Sequence, residues 1–121
     1  MMYKIAEEIA RLEHIKALIT GDSLAQVSSQ TLENLTTIDE ATKLSIIRPL
    51  IGMDKIEIIN LAKKISTYEI SIKPQEDCCS LFVPTHPATK SNIKTIHQLE
   101  KSLNIKKMIK EAINKKEVIK I

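Results

Sequence analysis

The 121 residues are 43% hydrophobic and 27% charged, the balance of a globular chain that suits one domain or part of one. Only Tyr3, Tyr68 and Phe82 are aromatic, so the core must be aliphatic, and an aromatic stacking platform for single-stranded nucleic acid is disfavoured. The net charge of +3 is unevenly placed: nine lysines from Lys90 onward face only Glu100, Glu111 and Glu117, while the earlier part is slightly acidic.

Met2 to Leu12 reads as an amphipathic helix, with Ile5, Ile9 and Leu12 at helical spacing and Glu7, Glu8 and Arg11 on the other side. Ile15 to Thr20 reads as a buried strand stopped by Gly21. Asp22 or Ser23 can cap a helix running to about Leu35, with Thr36 to Lys43 as a polar connection. On that helix Ser23, Gln26 and Gln30 share one stripe, and Leu24, Val27, Thr31 and Leu35 another that suits a core.

Leu44 to Arg48 reads as a second short strand closed by Pro49. Asp54-Lys55-Ile56-Glu57 has the form of a capping box, opening a helix that buries Ile56, Ile59, Leu61 or Ala62, and Ile65. Ser66 to Pro87 is irregular. Two helices close the chain, about Asn92 to Leu103 and Asn104 to Lys116, with Asn104 as a cap. Alternating strands and helices indicate an α/β layer structure with a parallel sheet. Two strands make a poor sheet with open edges, so further chain upstream, or another copy, is expected to complete it.

Three stretches can carry chemistry. In the first, a strand ends at Thr20, Gly21 turns the chain and a helix follows, the place where open α/β sheets bind ligands. Gly21 allows close backbone approach or positive φ. Asp22 already places negative charge there, so a base or ribose suits the site better than a phosphate; a capped helix with surface glutamines is the plainer alternative. In the second, Arg48 at a strand's carboxyl edge can bind phosphate or carboxylate, or simply pair with a nearby Asp or Glu, and Pro49 and Gly52 are turn residues.

The third stretch holds Cys78 and Cys79. Adjacent cysteines seldom bond to each other, and two thiols do not fill a tetrahedral metal site. A thiolate can attack sulfur or carry a persulfide. Glu76 and Asp77 would raise a thiol pKa, so activation needs a cation or helix N-terminus, and one of the pair can equally be a small buried hydrophobe. His14, His86 and His97 lack metal-ligand spacing, and no metal site is expected. The basic tail can attract RNA phosphates or be a solvated helix face. With no signal peptide and no apolar run long enough to span a membrane, a cytoplasmic protein with reduced thiols is expected.

In order, TGDSLAQVSSQTLENL, IIRPLIGMDKIEII and the EDCC-LFVP-HP stretch resemble the tRNA 4-thiouridine synthetases, the tRNA sulfurtransferases of the ThiI family, also linked to thiazole formation for thiamine. The resemblance covers about Met1 to Pro87. It implies a Rossmann-like PP-loop ATP-pyrophosphatase domain whose C-terminal part is residues 1–88, with residues 89–121 as basic helices packing on it. It implies ATP and magnesium as cofactors, tRNA as substrate and a cysteine desulfurase as persulfide donor. Gly21 and Gln30 match family positions that contact the adenine nucleotide. Ser23, Gln26 and Arg48 are possible supporting residues. Cys79, with Cys78 as the second choice, matches the catalytic-domain cysteine. Ala25 stands where the family often has glycine.

The family's phosphate loop, of the form SGGxDS, is not among these residues and would belong upstream of Met1, together with the tRNA-binding region; a rhodanese-like domain, which some family members lack, is not expected after Ile121. The expectation is therefore a fragment, inactive alone and prone to homo-oligomerise through its open sheet. Another PP-loop tRNA-modifying enzyme and a truncated RNA- or partner-binding module are the alternative readings.

Overall fold

A computed structural model describes residues 1–24, 28–74 and 90–120. Its elements run α1 (Met2–Leu12), β1 (Ala17–Ile19), α2 (Leu32–Asp39), β2 (Ser45–Ile47), α3 (Lys55–Lys64), α4 (Tyr68–Ser71), α5 (Ile93–Glu100) and α6 (Ile105–Asn114). The α/β reading and the helical C-terminus hold.

β1 and β2 pair in parallel, Ala17 with Ser45, Leu18 with Ile46 and Ile19 with Ile47. The alternation along the strands is uneven. Leu18 and Ile46 are half-buried, while the paired Ile19 and Ile47 are 72% and 49% exposed. The expectation of a buried first strand is thus half right. A parallel strand is buried only when both faces are covered, and the described helices leave the Ile19–Ile47 face open.

α1 has the predicted bounds, and its deepest residue is Ala10 rather than the larger aliphatics. It packs on β1 and on α6. Lys4 pairs with Glu100 and Lys116 reaches Glu13 at 3.3 Å, so both ends of α1 are tied to the basic C-terminal segment. α5 and α6 begin at Asn92 and Asn104, whose side chains accept from the amides of Lys94 and Lys107. That satisfies amides left unpaired in a first helical turn.

α3 has the full capping box, Asp54 accepting from the Glu57 amide and Glu57 from the Asp54 amide, both at 2.8 Å. Its inward stripe differs from the expected one. Ile56 and Ile65 are 69% and 59% exposed, and Ile58, Ile59, Leu61 and Ala62 are the half-buried positions. The short α4 interrupts the region read as irregular, and Lys63 Nζ lies 5.0 Å from the centre of the Tyr68 ring.

The helix expected from Asp22 or Ser23 to Leu35 is the largest correction. Residues 21–24 and 28–31 are not helical, and α2 starts at Leu32, with Thr31 as its cap, and continues to Asp39 through what was read as a connection. Both expected caps have their side chains engaged elsewhere. The Asp22 carboxylate accepts from three side chains and the Ser23 hydroxyl donates to the Met53 carbonyl. The stripe of Ser23, Gln26 and Gln30 therefore does not exist as a helix face, and Gln26 lies outside the described residues.

Candidate functional site

The carboxyl ends of β1 and β2 point the same way, so the turns that leave them lie side by side. The Thr20 amide donates to the Ile47 carbonyl at 3.0 Å, carrying the ladder one residue past β1. The Leu24 amide donates to the Ile51 carbonyl at 3.1 Å, and Ser23 Oγ to the Met53 carbonyl at 2.9 Å. Ser23 is 4% exposed, so its hydroxyl serves the joint between the two turns. The Pro49–Gly52 turn supplies the other half of the joint.

Asp22 and Arg48 sit within this joint. Asp22 Oδ2 accepts from Thr20 Oγ1 at 2.7 Å, Arg48 Nε at 3.0 Å and Tyr3 Oη at 3.2 Å. Arg48 also donates through both terminal nitrogens to Asp39 at the end of α2. Burial pushes the Asp22 carboxyl up, but the hydrogen bonds from Thr20, Arg48 and Tyr3 and the guanidinium charge outweigh it and hold the group below the usual carboxylate range. The hydrogen bond to Asp39, followed by that to Asp22, raises the Arg48 pKa against a burial effect.

Of the two readings of Arg48, the ion pair is the one seen in this structure. Its charge is committed to two carboxylates, and this cluster offers no surplus positive charge to a triphosphate. The argument that Asp22 repels phosphate from a helix N-terminus also changes: no helix starts there, and the excess negative charge belongs to Asp22 and Asp39 together, which share the one Arg48 guanidinium.

Gly21 has no positive φ, so the turn does not demand glycine for its conformation. A Cβ there would meet nothing within 4 Å, so the backbone faces open space that a ligand can approach. Gln30 lies just before the cap of α2. Its Oε1 is buried without a hydrogen-bond partner, an acceptor whose desolvation is uncompensated. Cys78 and Cys79 lie outside the described residues. Among the described residues no group of three or more His, Cys, Asp or Glu is placed to hold a metal, and no helix is long and apolar enough to cross a membrane.

Sequence reasoning passed over Tyr3, Thr20, Asp39 and Asn34. Tyr3 and Asp39 complete the Asp22–Arg48 cluster from α1 and from the end of α2, and nothing local to either announces it, whereas Thr20 is two residues from Asp22 in the same turn. Asn34, 8% exposed, donates through Nδ2 to the Ser29 carbonyl at 2.8 Å and accepts at Oδ1 from the Ser91 amide and hydroxyl. Its one available signal was an asparagine inside a helix, where that residue has poor propensity. A cleft of about 500 Å³ between α1 and α6 lies elsewhere and is lined by aliphatic groups such as Leu12, Ile109 and Ile113 with charged residues among them.

A crystal structure of a 4-thiouridine synthetase–RNA complex with bound ATP superposes with a TM-score of 0.89 at 44% identity, over 96% of this chain and 30% of that one. A probable tRNA sulfurtransferase of Thermoanaerobacter sp. (strain X514) is 55% identical over 109 residues, 90% of this chain and 29% of its own length. Probable tRNA sulfurtransferases of Finegoldia magna and Moorella thermoacetica are 50% and 44% identical over 99% and 100% of this chain, in each case 31% of the relative. The chain thus spans about three-tenths of the length of the relatives it matches. The family described as thiamine biosynthesis protein (ThiI) matches residues 1–105, and with that match over most of its length the chain belongs to the ThiI family.

Proposed function

We propose that this chain forms one wall of the adenine-nucleotide site of an ATP-dependent tRNA sulfurtransferase that makes 4-thiouridine. The observation that carries the reading is the buried, unpartnered Gln30 Oε1, in a chain 44% identical to a 4-thiouridine synthetase with bound ATP. The exocyclic amine of adenine is the kind of donor this acceptor lacks, and the Gln30 side chain has to turn outward to meet it, since Oε1 is buried here; the open backbone at Gly21 admits a flat ring or a ribose.

The residues present fit the adenosine end of ATP and not its triphosphate. Arg48 is held by Asp22 and Asp39, so the phosphates and magnesium belong to groups outside this cluster. Bound ATP supplies the activation of the uridine C4 oxygen. The role of this chain is to orient the nucleoside and to bring up a thiolate, which the family resemblance assigns to Cys79, or to Cys78 in its place. Sulfur delivery as a persulfide from a cysteine desulfurase, assembly as a homo-oligomer and a cytoplasmic location go with the same reading. So does a division into residues 1–88 as nucleotide wall and residues 89–121 as basic helices on its flank.

Titration of the chain with ATP and with adenosine, followed by backbone and Gln side-chain amide resonances, tests this. The expected result is perturbation at Gly21 and Gln30 by both ligands, with affinities within about threefold of each other because no cation here reads phosphate. Gln30→Ala should weaken both by up to about tenfold, the scale of one hydrogen bond. Perturbation confined to the lysines of α6 and erased by salt would overturn the reading in favour of non-specific polyanion binding.

A further inference from the structure

Asn34 occupies the third position of α2, a place a leucine could fill at lower desolvation cost. The two ends of its amide serve two different segments. Nδ2 donates to the carbonyl of Ser29 at 2.8 Å, and that carbonyl belongs to the Ser29–Gln30 peptide. Oδ1 accepts from the amide of Ser91 at 2.8 Å and from its hydroxyl at 2.7 Å, 57 residues away and directly before the Asn92 cap of α5. The Asn34 amide also donates to Thr31 Oγ1 at 3.2 Å, closing the first turn of α2 over the same loop. With 8% exposure, Asn34 makes these bonds largely out of water, where losing a partner costs most.

We infer that Asn34 is a positioning residue, fixing the Ser29–Gln30 peptide against the entry to α5 and so setting the Gln30 side chain for its ligand. This rests on the reading of Gln30 as the nucleotide contact. The geometry separates the two halves of the role. The acceptor half docks α5, and the donor half orders the peptide that carries Gln30. Glutamine has three side-chain torsions, so a side chain that is to present Oε1 to a ligand needs its own backbone held first.

Asn34→Asp divides these halves. It keeps an acceptor for Ser91 and replaces the donor to Ser29 with an oxygen that repels the carbonyl. A carboxylate in the first turn of a helix is favourable, which offsets only part of the cost of burying the charge and losing the Ser29 bond, so the variant should melt somewhat below the parent. The expected result is a protected Ser91 amide, displaced Ser29 and Gln30 amide and Gln30 side-chain resonances, and ATP affinity lower by about tenfold. Asn34→Ala should lose both halves and melt earlier. Leu35→Ala, a purely packing change beside it, should lower the melting temperature without displacing the Gln30 resonances.

Unmoved Gln30 resonances in Asn34→Asp would overturn the inference. So would an affinity loss that merely tracks the melting temperature across the three variants. If neither the parent nor Gln30→Ala responds to ATP, the nucleotide reading fails, and the ligand-free Gln30 resonances of Asn34→Asp still decide whether Asn34 positions that residue.

Discussion

Arg48 is only 12% exposed at its side chain and bridges two carboxylates, Asp22 after β1 and Asp39 at the end of α2. An exposed ion pair contributes little, but removing one partner from a mostly buried cluster leaves uncompensated charge. Arg48→Ala is expected to destabilise the chain by about 2 kcal/mol in urea denaturation at neutral pH. Asp22→Asn should cost less, because Thr20 and Tyr3 can still donate to the amide oxygen. The two variants should also differ from the parent in pH dependence. The folded Asp22 carboxyl titrates below its ordinary value of about 4. The stability it confers is therefore complete above that ordinary value and is lost as the pH falls through the depressed one. The gap between parent and Asp22→Asn should be open at pH 6 and close as acid protonates Asp22. A gap that stays constant into that acid range would mean that the carboxylate charge adds nothing to the hydrogen bonds.

At the level of elements, two helices end in the same way without the residue that usually marks such an end. After α1, His14 has φ 56°, the Ile15 amide donates to the Ala10 carbonyl at 2.8 Å and the His14 amide to Arg11 at 3.4 Å. After α3, Ser66 has φ 60°, with Thr67 donating to Ala62 at 2.9 Å and Ser66 to Lys63 at 3.1 Å. Both are Schellman closures with a left-handed residue that is normally glycine. His14→Gly and Ser66→Gly are each expected to stabilise by about 0.5–1 kcal/mol, read as a shift in denaturation midpoint. A loss of stability on either change would mean that the side chain contributes more than the backbone strain it brings. These ends were illegible because the sequence shows no glycine at them, whereas the start of α3 was legible because both halves of its box, Asp54 and Glu57, lie three residues apart. The start of α2 failed for the opposite reason. Asp22 and Ser23 look like caps, but partners 26 and 30 residues away, Arg48 and Met53, take up their side chains. Of the candidate site, the carboxyl edge at Gly21 and the position of Arg48 followed from local pattern. The Tyr3 and Asp39 contacts, and the Asn34 bridge to Ser91, did not, because only the fold brings those residues together.

At the scale of the whole molecule, the apolar side chains of the described residues do not close into a core. Among the described residues only Ala10 and Leu35 are buried hydrophobics, while Ile19, Ile47, Ile56, Ile65 and Ile70 are all about half exposed or more. A parallel sheet is expected to be covered on both faces, and among the described residues the register pair Ile19–Ile47 lies open in a sheet of two strands whose outer edges have no strand partner. An open apolar strip next to free edge hydrogen-bonding groups favours association. The chain should therefore sediment above its monomer mass of 13.6 kDa at high concentration. The double variant Ile19→Thr/Ile47→Thr should return it towards monomer. Because both side chains are exposed, the double change should cost the monomer no more than about 1 kcal/mol, and threonine keeps the β-branched shape that suits a strand. If association survives unchanged, the contact runs instead through another apolar face, and Ile56→Thr or Ile65→Thr on α3 then becomes the discriminating change. If instead the double variant unfolds the chain, Ile19 and Ile47 are buried in solution, which means that a second copy already covers the sheet at the lowest concentration measured.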